Sequence, residues 1–234
     1  MLPIFIIFRK KQFPAEKNKI ITEHSFLKSF WNNLKESKKY PGVFPLLLCF
    51  YLFSDAITTI TLYSAIYLER VFLISDEAKV GIFIIITAGL VVGAFAGGIL
   101  SDKYSRRKIL VISLILNAIT IVLVAINQEV SFLNLIFGLF GLTMGVVYAS
   151  SRSYLASLIP VEESGKFFGL YTFSERVASI IGPAVWGIVI LLFASITPVN
   201  YRIAAFIMGI FVFLAAIPLT LSHRKNSKST QSFP

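Results

Sequence analysis

Six long apolar segments, joined by short polar loops, constrain this chain more than any other feature of its sequence. Each has about the 20 residues that an α-helix needs to cross the roughly 30 Å hydrocarbon core of a bilayer. They occupy residues 43–67, 80–100, 109–126, 131–157, 167–192 and 201–222. Because 56% of the 234 residues are hydrophobic, the sequence predicts an all-α, polytopic transmembrane bundle and not a soluble helical domain.

Lysine and arginine fall mostly on one side of these segments. Nine lie in the first 42 residues, four in 101–108, two in 152–166 and three after residue 222, whereas Arg70, Lys79 and Arg202 lie on the opposite side. Cytoplasmic loops carry the excess of basic residues, so we expect both termini to be cytoplasmic in a protein of the cell membrane. This topology accounts for the net charge of +10 without a nucleic-acid partner.

The segments outside the bundle give the predicted domain organisation. Residues 1–8 are apolar but too short to span, so we interpret them as the remnant of a preceding transmembrane helix, with a short interfacial segment as the alternative. Residues 9–42 form a basic cytoplasmic linker, residues 43–222 the six-span bundle and residues 223–234 a polar cytoplasmic tail. The linker contains an amphipathic helix, whose apolar residues are Phe26, Leu27, Phe30, Trp31 and Leu34.

One face of the first span is polar in the middle of the membrane. Asp55 shares this face with Tyr51, Ser54 and Thr58, because steps of three and four residues return to the same side of a helix. An ionisable group in hydrocarbon costs about 3 kcal/mol or more, so the face should line a cavity or contact other helices. We therefore predict a solute or ion site at these four residues, with Asp55 hydrogen-bonded to a neighbouring helix as the structural alternative.

Three further polar residues within spans are candidates for the same site. Asn117 in the third span binds solute or forms a hydrogen bond between helices. Tyr148 in the fourth span is the second candidate. Glu175 in the fifth span is the third, as a residue of the cytoplasmic vestibule, and pairing with Arg152 is its alternative. Glycines at intervals of four predict close helix packing, and Gly182-Pro183 predicts a kink in the fifth span.

The loop between the second and third spans carries a family signature. It reads Gly98-Ile99-Leu100-Ser101-Asp102-Lys103-Tyr104-Ser105-Arg106-Arg107-Lys108. This sequence resembles the signature loop of the major facilitator superfamily of transporters, except that Ser105 stands where that pattern has glycine. The resemblance implies a gating role for Gly98, Asp102, Arg106 and Arg107. The carboxylate of Asp102 lies at the C-terminal end of the second span, where the helix dipole disfavours a negative charge, so we expect a cationic partner, first Arg152 and next Arg106. Solvation of an exposed loop charge is the alternative.

Other stretches resemble the vacuole effluxer-like branch of that superfamily, which includes autophagy-related amino-acid effluxers. They are Tyr51-Leu52-Phe53-Ser54-Asp55, Ser151-Arg152-Ser153, Leu158-Ile159-Pro160, residues 167–174 and Gly182-Pro183. The chain departs from the branch at Ser54, in place of asparagine, and at Met144 and Tyr148, in place of glutamines. The resemblance implies the C-terminal six-helix half of a transporter, whose partner is the N-terminal half or a second copy.

The resulting functional hypothesis is secondary active transport of a small solute by alternating access, with amino acids as the class that the resemblance implies. A non-transporting six-helix scaffold or subunit is the alternative. An enzyme is disfavoured, because His24 and His223 lie outside the spans and no catalytic cluster is present. The sequence has no nucleotide-binding motif and one cysteine, Cys49, so we expect no cofactor and no metal site. The solute, the direction of transport and the coupling ion stay open.

Overall fold

Helices make up nearly all of residues 31–221, the part of the chain that the computed structural model describes, and no strand occurs in that part. After a 3₁₀ turn at Ser37–Lys39, the helices are α1 (Val43–Phe72), α2 (Asp76–Lys103), α3 (Arg106–Ile126), α4 (Leu133–Leu158), α5 (Ser164–Val177), α6 (Ile181–Leu192) and α7 (Val199–Ala215). Six stretches are long and apolar enough to cross a membrane, which confirms the predicted six-span helical bundle.

Some predicted segments lie outside the described residues. These are residues 1–8, most of the amphipathic helix of the linker, including Phe26, Leu27 and Phe30, and the tail at 223–234. Residues 33–221 belong to one compact unit.

The first two spans are longer than their apolar cores. Helix α1 continues to Phe72, five residues past the predicted end, and α2 begins at Asp76, four residues before its predicted start. The hydroxyl of Ser75 accepts a hydrogen bond from the Ala78 N–H at 3.4 Å. Ser75 therefore caps α2, and the acidic side chain of Asp76 in the first turn complements the helix dipole. Capping and charge thus extend α2 beyond its apolar stretch.

The fifth span is two helices and not one. We predicted a single helix over 167–192 with a kink at Gly182-Pro183, but α5 ends at Val177 and α6 begins at Ile181. Pro183 is the third residue of α6, and it cannot donate a hydrogen bond to the carbonyl of Ser179 one turn earlier. Proline is tolerated in the first turn of a helix, so the chain restarts the helix immediately before Pro183. The predicted position of the distortion at Gly182-Pro183 is correct, but the helix is interrupted and not merely kinked.

Glycines bring α2 and α4 into backbone contact. A Cβ added at Gly93 of α2 would lie 2.0 Å from the carbonyl oxygen of Leu142 in α4. In the opposite direction, a Cβ at Gly141 or Gly145 would lie 2.1 or 2.2 Å from the carbonyl oxygens of Ile86 and Leu90. Any larger residue would force the helices apart, which confirms that these glycines serve helix packing.

The remaining helices pack around α1 and α4. Helix α4 contacts both α2 and α3, while α7 lies against α1 and α3. Helices α5 and α6 pack on α1, and α6 also contacts α7. The two halves of the broken span are therefore both seated on the helix that carries Asp55.

A cluster of polar residues holds the segment before α1 against the start of α5. Within this cluster, which we call the Tyr40 cluster, the Tyr40 hydroxyl donates to Glu163 at 2.9 Å, and Lys166 forms ion pairs with Glu36 and Glu163. The edge of the Tyr40 ring also meets Phe167, with 5.3 Å between ring centroids. The hydrogen bond to the Glu163 carboxylate raises the pKa of Tyr40 above 10.0, so its hydroxyl stays a donor at neutral pH.

Candidate functional site

The side chain of Asp55 is buried without a side-chain partner. Asp55 and its neighbour Ser54 are each 1% exposed, and neither the Asp55 carboxylate oxygens nor the Ser54 hydroxyl makes a hydrogen bond of regular geometry. A buried carboxylate with no compensating interaction is strongly unfavourable. The nearby backbone is one source of such compensation.

The break in the fifth span supplies that compensation. The Asp55 carboxylate faces the backbone N–H groups of Ile180, Ile181 and Gly182, at the first turn of α6. These N–H groups have no partner within their own helix, and the helix dipole places a partial positive charge at the same point. The geometry falls short of regular hydrogen bonds, so the interaction is mainly electrostatic. The partial positive charge of the α6 N-terminus thus offsets part of the cost of burying the carboxylate.

Small residues allow this approach of α6 to α1. A Cβ added at Gly182 would lie 2.1 Å from the Thr59 hydroxyl oxygen and 3.1 Å from an Asp55 carboxylate oxygen, Oδ2. The Thr59 hydroxyl donates to the Asp55 backbone carbonyl at 2.7 Å, so it does not compete for the carboxylate. The residue at 182 must therefore be glycine for α6 to reach Asp55. We refer to Ser54, Asp55, Thr59 and residues 180–182 as the Asp55 site.

An aromatic cluster lies earlier on α1, beside the Asp55 site. The rings of Phe50 and Tyr171 are stacked with centroids 3.8 Å apart, and the Tyr171 hydroxyl is 2.7 Å from that of Ser151. Tyr148 meets Phe50 and Phe53 edge-on, at 6.0 and 5.6 Å between centroids. These contacts join α1, α4 and α5 in one cluster.

Tyr148 is the half-buried member of the aromatic cluster, and two charged residues, Arg152 and Glu175, are the other candidates in this region. The guanidinium of Arg152 is 6.0 Å from the centre of the Tyr148 ring, and Glu175 is half-buried on α5. Among residues 31–221, no ion pair joins Glu175 to Arg152, so the alternative of direct pairing is not what the structure contains.

Three other predicted site residues have different surroundings. Tyr51 and Thr58 are half-buried on the face of α1 that also carries Asp55. Asn117 is fully buried, and its amide nitrogen donates to the Thr143 hydroxyl at 2.9 Å and approaches the Phe140 carbonyl at 3.4 Å. Asn117 therefore joins α3 to α4, as in the structural alternative, and its role as a solute ligand stays a prediction.

Comparison with known proteins identifies the family. The model of the Major Facilitator Superfamily matches residues 46–233, which is most of the chain. The chain belongs to the Major Facilitator Superfamily. This result confirms the family predicted from the signature loop, and with six apolar helices it makes the chain an integral multi-pass membrane protein.

Curated relatives within the superfamily are similar over most of this chain. An uncharacterized MFS-type transporter, YxiO of Bacillus subtilis, is 26% identical over 211 residues, covering 89% of this chain and 48% of YxiO. Autophagy-related protein 22 of Botryotinia fuckeliana is 24% identical over 83% of this chain and 34% of its own length. Quinolone resistance protein NorA of Staphylococcus aureus is 27% identical over 62% of this chain and 38% of its own length. The chain thus spans between a third and a half of the relatives it matches.

The superfamily's signature loop forms a tight turn between α2 and α3. Tyr104 and Ser105 alone separate the two helices. Gly98 faces open space, and Arg106 and Asp102 are exposed. Within residues 31–221, Asp102 forms no ion pair, so the expected contact with Arg152 or Arg106 is not made in this conformation.

Arg107 is the signature residue with a specific contact. It is half-buried, and its guanidinium donates a hydrogen bond to the backbone carbonyl of Leu219, after the end of α7. This bond fastens the signature loop to the last span. Nothing in the sequence indicates it, because the acceptor is a backbone atom distant along the chain.

Sequence reasoning missed the backbone partners and the aromatic partners of the site. The N–H groups of Ile180, Ile181 and Gly182 and the side chains of Thr59, Phe50, Phe53 and Tyr171 were not among the predicted residues. The Gly182-Pro183 pair was the available signal, since it marks where a helix would expose its backbone.

No group of three or more metal-binding side chains occurs among the described residues.

Proposed function

We propose that this chain forms one half of a secondary active transporter, which moves a small solute by alternating access with Asp55 as its coupling or solute-binding carboxylate. One observation carries the proposal: a buried carboxylate faces the N-terminus of a broken helix. Intramembrane carboxylates are costly and mostly functional. Broken helices whose ends line a binding site are a recurrent feature of transporters.

The depth of Asp55 supports this assignment. It is the thirteenth of the 30 residues of α1, hence about 18 Å from the start of that helix at 1.5 Å per residue. Solute and ion sites of transporters lie near the bilayer midplane, where two bundles meet. The half-buried side chains of Tyr51 and Thr58 lie on the same face of α1 and would contribute hydrogen bonds to a solute.

The charge of Asp55 would control the contact between α1 and α6. While the carboxylate is ionised, its negative charge attracts the N-terminus of α6. Binding of a proton, or of a cationic solute group or ion, cancels that attraction and removes one force that holds α6 on α1. The same event would thus load the site and loosen the broken span, which is what coupling in alternating access requires.

Amino acids are the first solutes to test, because the sequence is similar to an autophagy-related protein 22 and to the effluxer-like branch. The opposite wall of the solute site would come from another six-helix bundle, either an N-terminal half or a second copy of this chain. The basic ends of the spans, including the signature loop, would face the cytoplasm.

Transport by membrane vesicles tests the proposal. Vesicles from cells that express the transporter containing this chain would be offered the radiolabelled amino acids one at a time, under imposed proton or sodium gradients. We expect saturable accumulation of one or a few of them, and loss of accumulation when an ionophore dissipates the gradient. Movement of none of them, together with stable co-purification of another membrane protein, would favour the scaffold alternative.

A further inference from the structure

A groove with a basic rim lies between the start of α3 and the residues that follow α7. Its volume is about 360 Å³. It is lined by Ser105, Arg107, Lys108, Val111, Ile112 and Thr220. We call it the basic groove. It lies at the end of two spans, at the level of the signature loop, and it is separate from the Asp55 site on α1.

The rim of the basic groove suits an anionic group. Arg107 is held in place by its bond to the Leu219 carbonyl, while Lys108 is exposed and can turn toward a ligand. The Ser105 side chain makes no capping hydrogen bond, so its hydroxyl is available as well. Residues 101–108 contain four cations and a single carboxylate, that of Asp102. Cationic and hydroxyl donors in this arrangement match a phosphate.

The floor of the groove is apolar and continues along α3. Val111 and Ile112 lie about one turn below the rim. From Ile112 onward, the side chains of Ile112, Leu116 and Ile119 follow one another at steps of four and three, each about half exposed. These steps place the three side chains on one face of the helix. The basic rim therefore leads into a continuous apolar strip that runs toward the membrane centre.

We propose that the basic groove binds an anionic phospholipid, with its phosphate at Arg107 and Lys108 and an acyl chain along Ile112, Leu116 and Ile119. Basic pockets between transmembrane helices at the membrane surface are suited to anionic lipid head groups. A soluble phosphate would use the rim alone and would gain nothing from the apolar strip. The bound lipid would bridge the signature loop and the last span, the same two elements that Arg107 joins.

Native mass spectrometry of the detergent-purified chain tests this proposal. The probes are phosphatidylglycerol and phosphatidylcholine with identical acyl chains, titrated in competition. We expect the wild-type chain to prefer phosphatidylglycerol, and the Lys108→Gln variant to bind it about fivefold more weakly, as expected for one cation near an anionic head group. Arg107 is left unchanged, because its substitution would also remove the bond to Leu219.

Lys103→Gln is the matched control. Lys103 is an exposed cation of the same loop but does not line the groove, so its loss changes the net charge equally. We expect Lys103→Gln to retain wild-type affinity for phosphatidylglycerol. Equal weakening by both substitutions, or no preference between the two lipids in the wild type, would overturn the proposal.

Two further measurements separate a lipid from a soluble anion. Ile112→Gln places a polar side chain on the acyl strip and should weaken phosphatidylglycerol binding severalfold, with Lys108 intact. Glycerol phosphate at millimolar concentration should leave the bound lipid in place. Displacement of the lipid by glycerol phosphate, with no effect of Ile112→Gln, would assign the groove to a soluble anion instead.

Discussion

At the scale of single residues, the buried negative charge of Asp55 and the unpaired N–H groups around Gly182 each lower the energetic cost of the other. The carboxylate would be uncompensated without the N–H groups of the α6 terminus, and those N–H groups would be uncompensated without the carboxylate. Gly182 is what allows them to meet, because any side chain there would collide with Thr59. This mutual dependence makes position 182 the most sensitive structural test of the site.

The first prediction is that Gly182→Ala destabilises the protein by about 1–3 kcal/mol, the usual range for overpacking. The new methyl group would lie 2.1 Å from the Thr59 hydroxyl oxygen, so α6 must move away from α1. Thermal unfolding of the detergent-solubilised protein, followed by circular dichroism, measures the effect as a lower midpoint.

Gly187→Ala is the control for this prediction. Gly187 lies in the same helix, and a Cβ there would meet no atom within 4 Å. We expect its midpoint to equal or exceed that of the wild type, because alanine is the better helix former. Adding Thr59→Ala to Gly182→Ala should restore part of the lost stability. A Gly182→Ala midpoint equal to that of Gly187→Ala would refute the close approach.

The sequence predicted the position of Asp55 but not what surrounds it. The polar face of Tyr51, Ser54, Asp55 and Thr58 follows from helical periodicity alone, and the structure buries Asp55 and Ser54 on it. The partners of the carboxylate are backbone atoms some 125 residues later in the chain, and backbone atoms leave no trace in residue types.

At the scale of secondary-structure elements, the α2–α4 contact depends on glycines that face each other. The second prediction is that Gly93→Ala lowers stability by about 1–3 kcal/mol, since its methyl group would lie 2.0 Å from the Leu142 carbonyl oxygen. Gly98→Ala, in the same helix, faces open space and should be neutral or slightly stabilising. Thermal unfolding again compares the two, and equal midpoints would argue against backbone contact between α2 and α4.

Helix α5 is short and is held at its start by the Tyr40 cluster. The third prediction is that Glu163→Gln weakens this attachment, because it removes the negative charge that attracts Lys166 and strengthens the hydrogen bond donated by Tyr40. Hydrogen exchange of the α5 amides should become about two- to tenfold faster, corresponding to the modest energy of exposed polar contacts. Exchange in α3, which does not contact α5 extensively, should be unchanged.

Glu162→Gln is the control for the Tyr40 cluster. Glu162 is the adjacent carboxylate, it is exposed, and it forms no ion pair among the described residues. Its substitution removes the same charge, so exchange in α5 should match the wild type. If both variants accelerated exchange equally, net charge and not the cluster would be responsible.

The elements themselves were predicted well, and the exception has a physical reason. Apolar length gave all six spans, and the two-residue turn at Tyr104 and Ser105 fits the absence of a linker in the sequence. The separation of α5 from α6 was underestimated, because the effect of a proline depends on what can satisfy the exposed N–H groups. The Asp55 carboxylate offers a negative charge to these N–H groups. Its position relative to Pro183 is set by the fold and cannot be read from the sequence.

At the scale of the whole molecule, the chain is a six-span member of the Major Facilitator Superfamily that spans about half or less of the relatives it matches. The fold and family could be predicted from apolar periodicity and the signature loop. The identity of the second bundle that would complete the solute site could not be predicted. A helix surface that meets another bundle has the same apolar composition as one that meets lipid.

The fourth prediction follows from the proposed second wall. The 234-residue chain, purified and reconstituted alone in liposomes, should show no saturable uptake of amino acids, the solutes proposed for the complete transporter. Chemical crosslinking in the same liposomes serves as the control for self-association. Uptake by a crosslinked dimer would assign the second wall to another copy, whereas saturable uptake by a monomer would contradict the half-transporter proposal.

The proposal depends above all on Asp55 being the coupling or solute-binding carboxylate of the transporter. Asp55→Asn keeps the shape of the side chain and removes its charge, so it tests the claim most directly. In membrane vesicles of the complete transporter, we predict that uphill accumulation of the solute is lost, while exchange of labelled for unlabelled solute continues if the carboxylate couples protons and fails if it binds the solute. Accumulation by Asp55→Asn at the wild-type level would contradict the account and leave Asp55 as a structural partner of α6 alone.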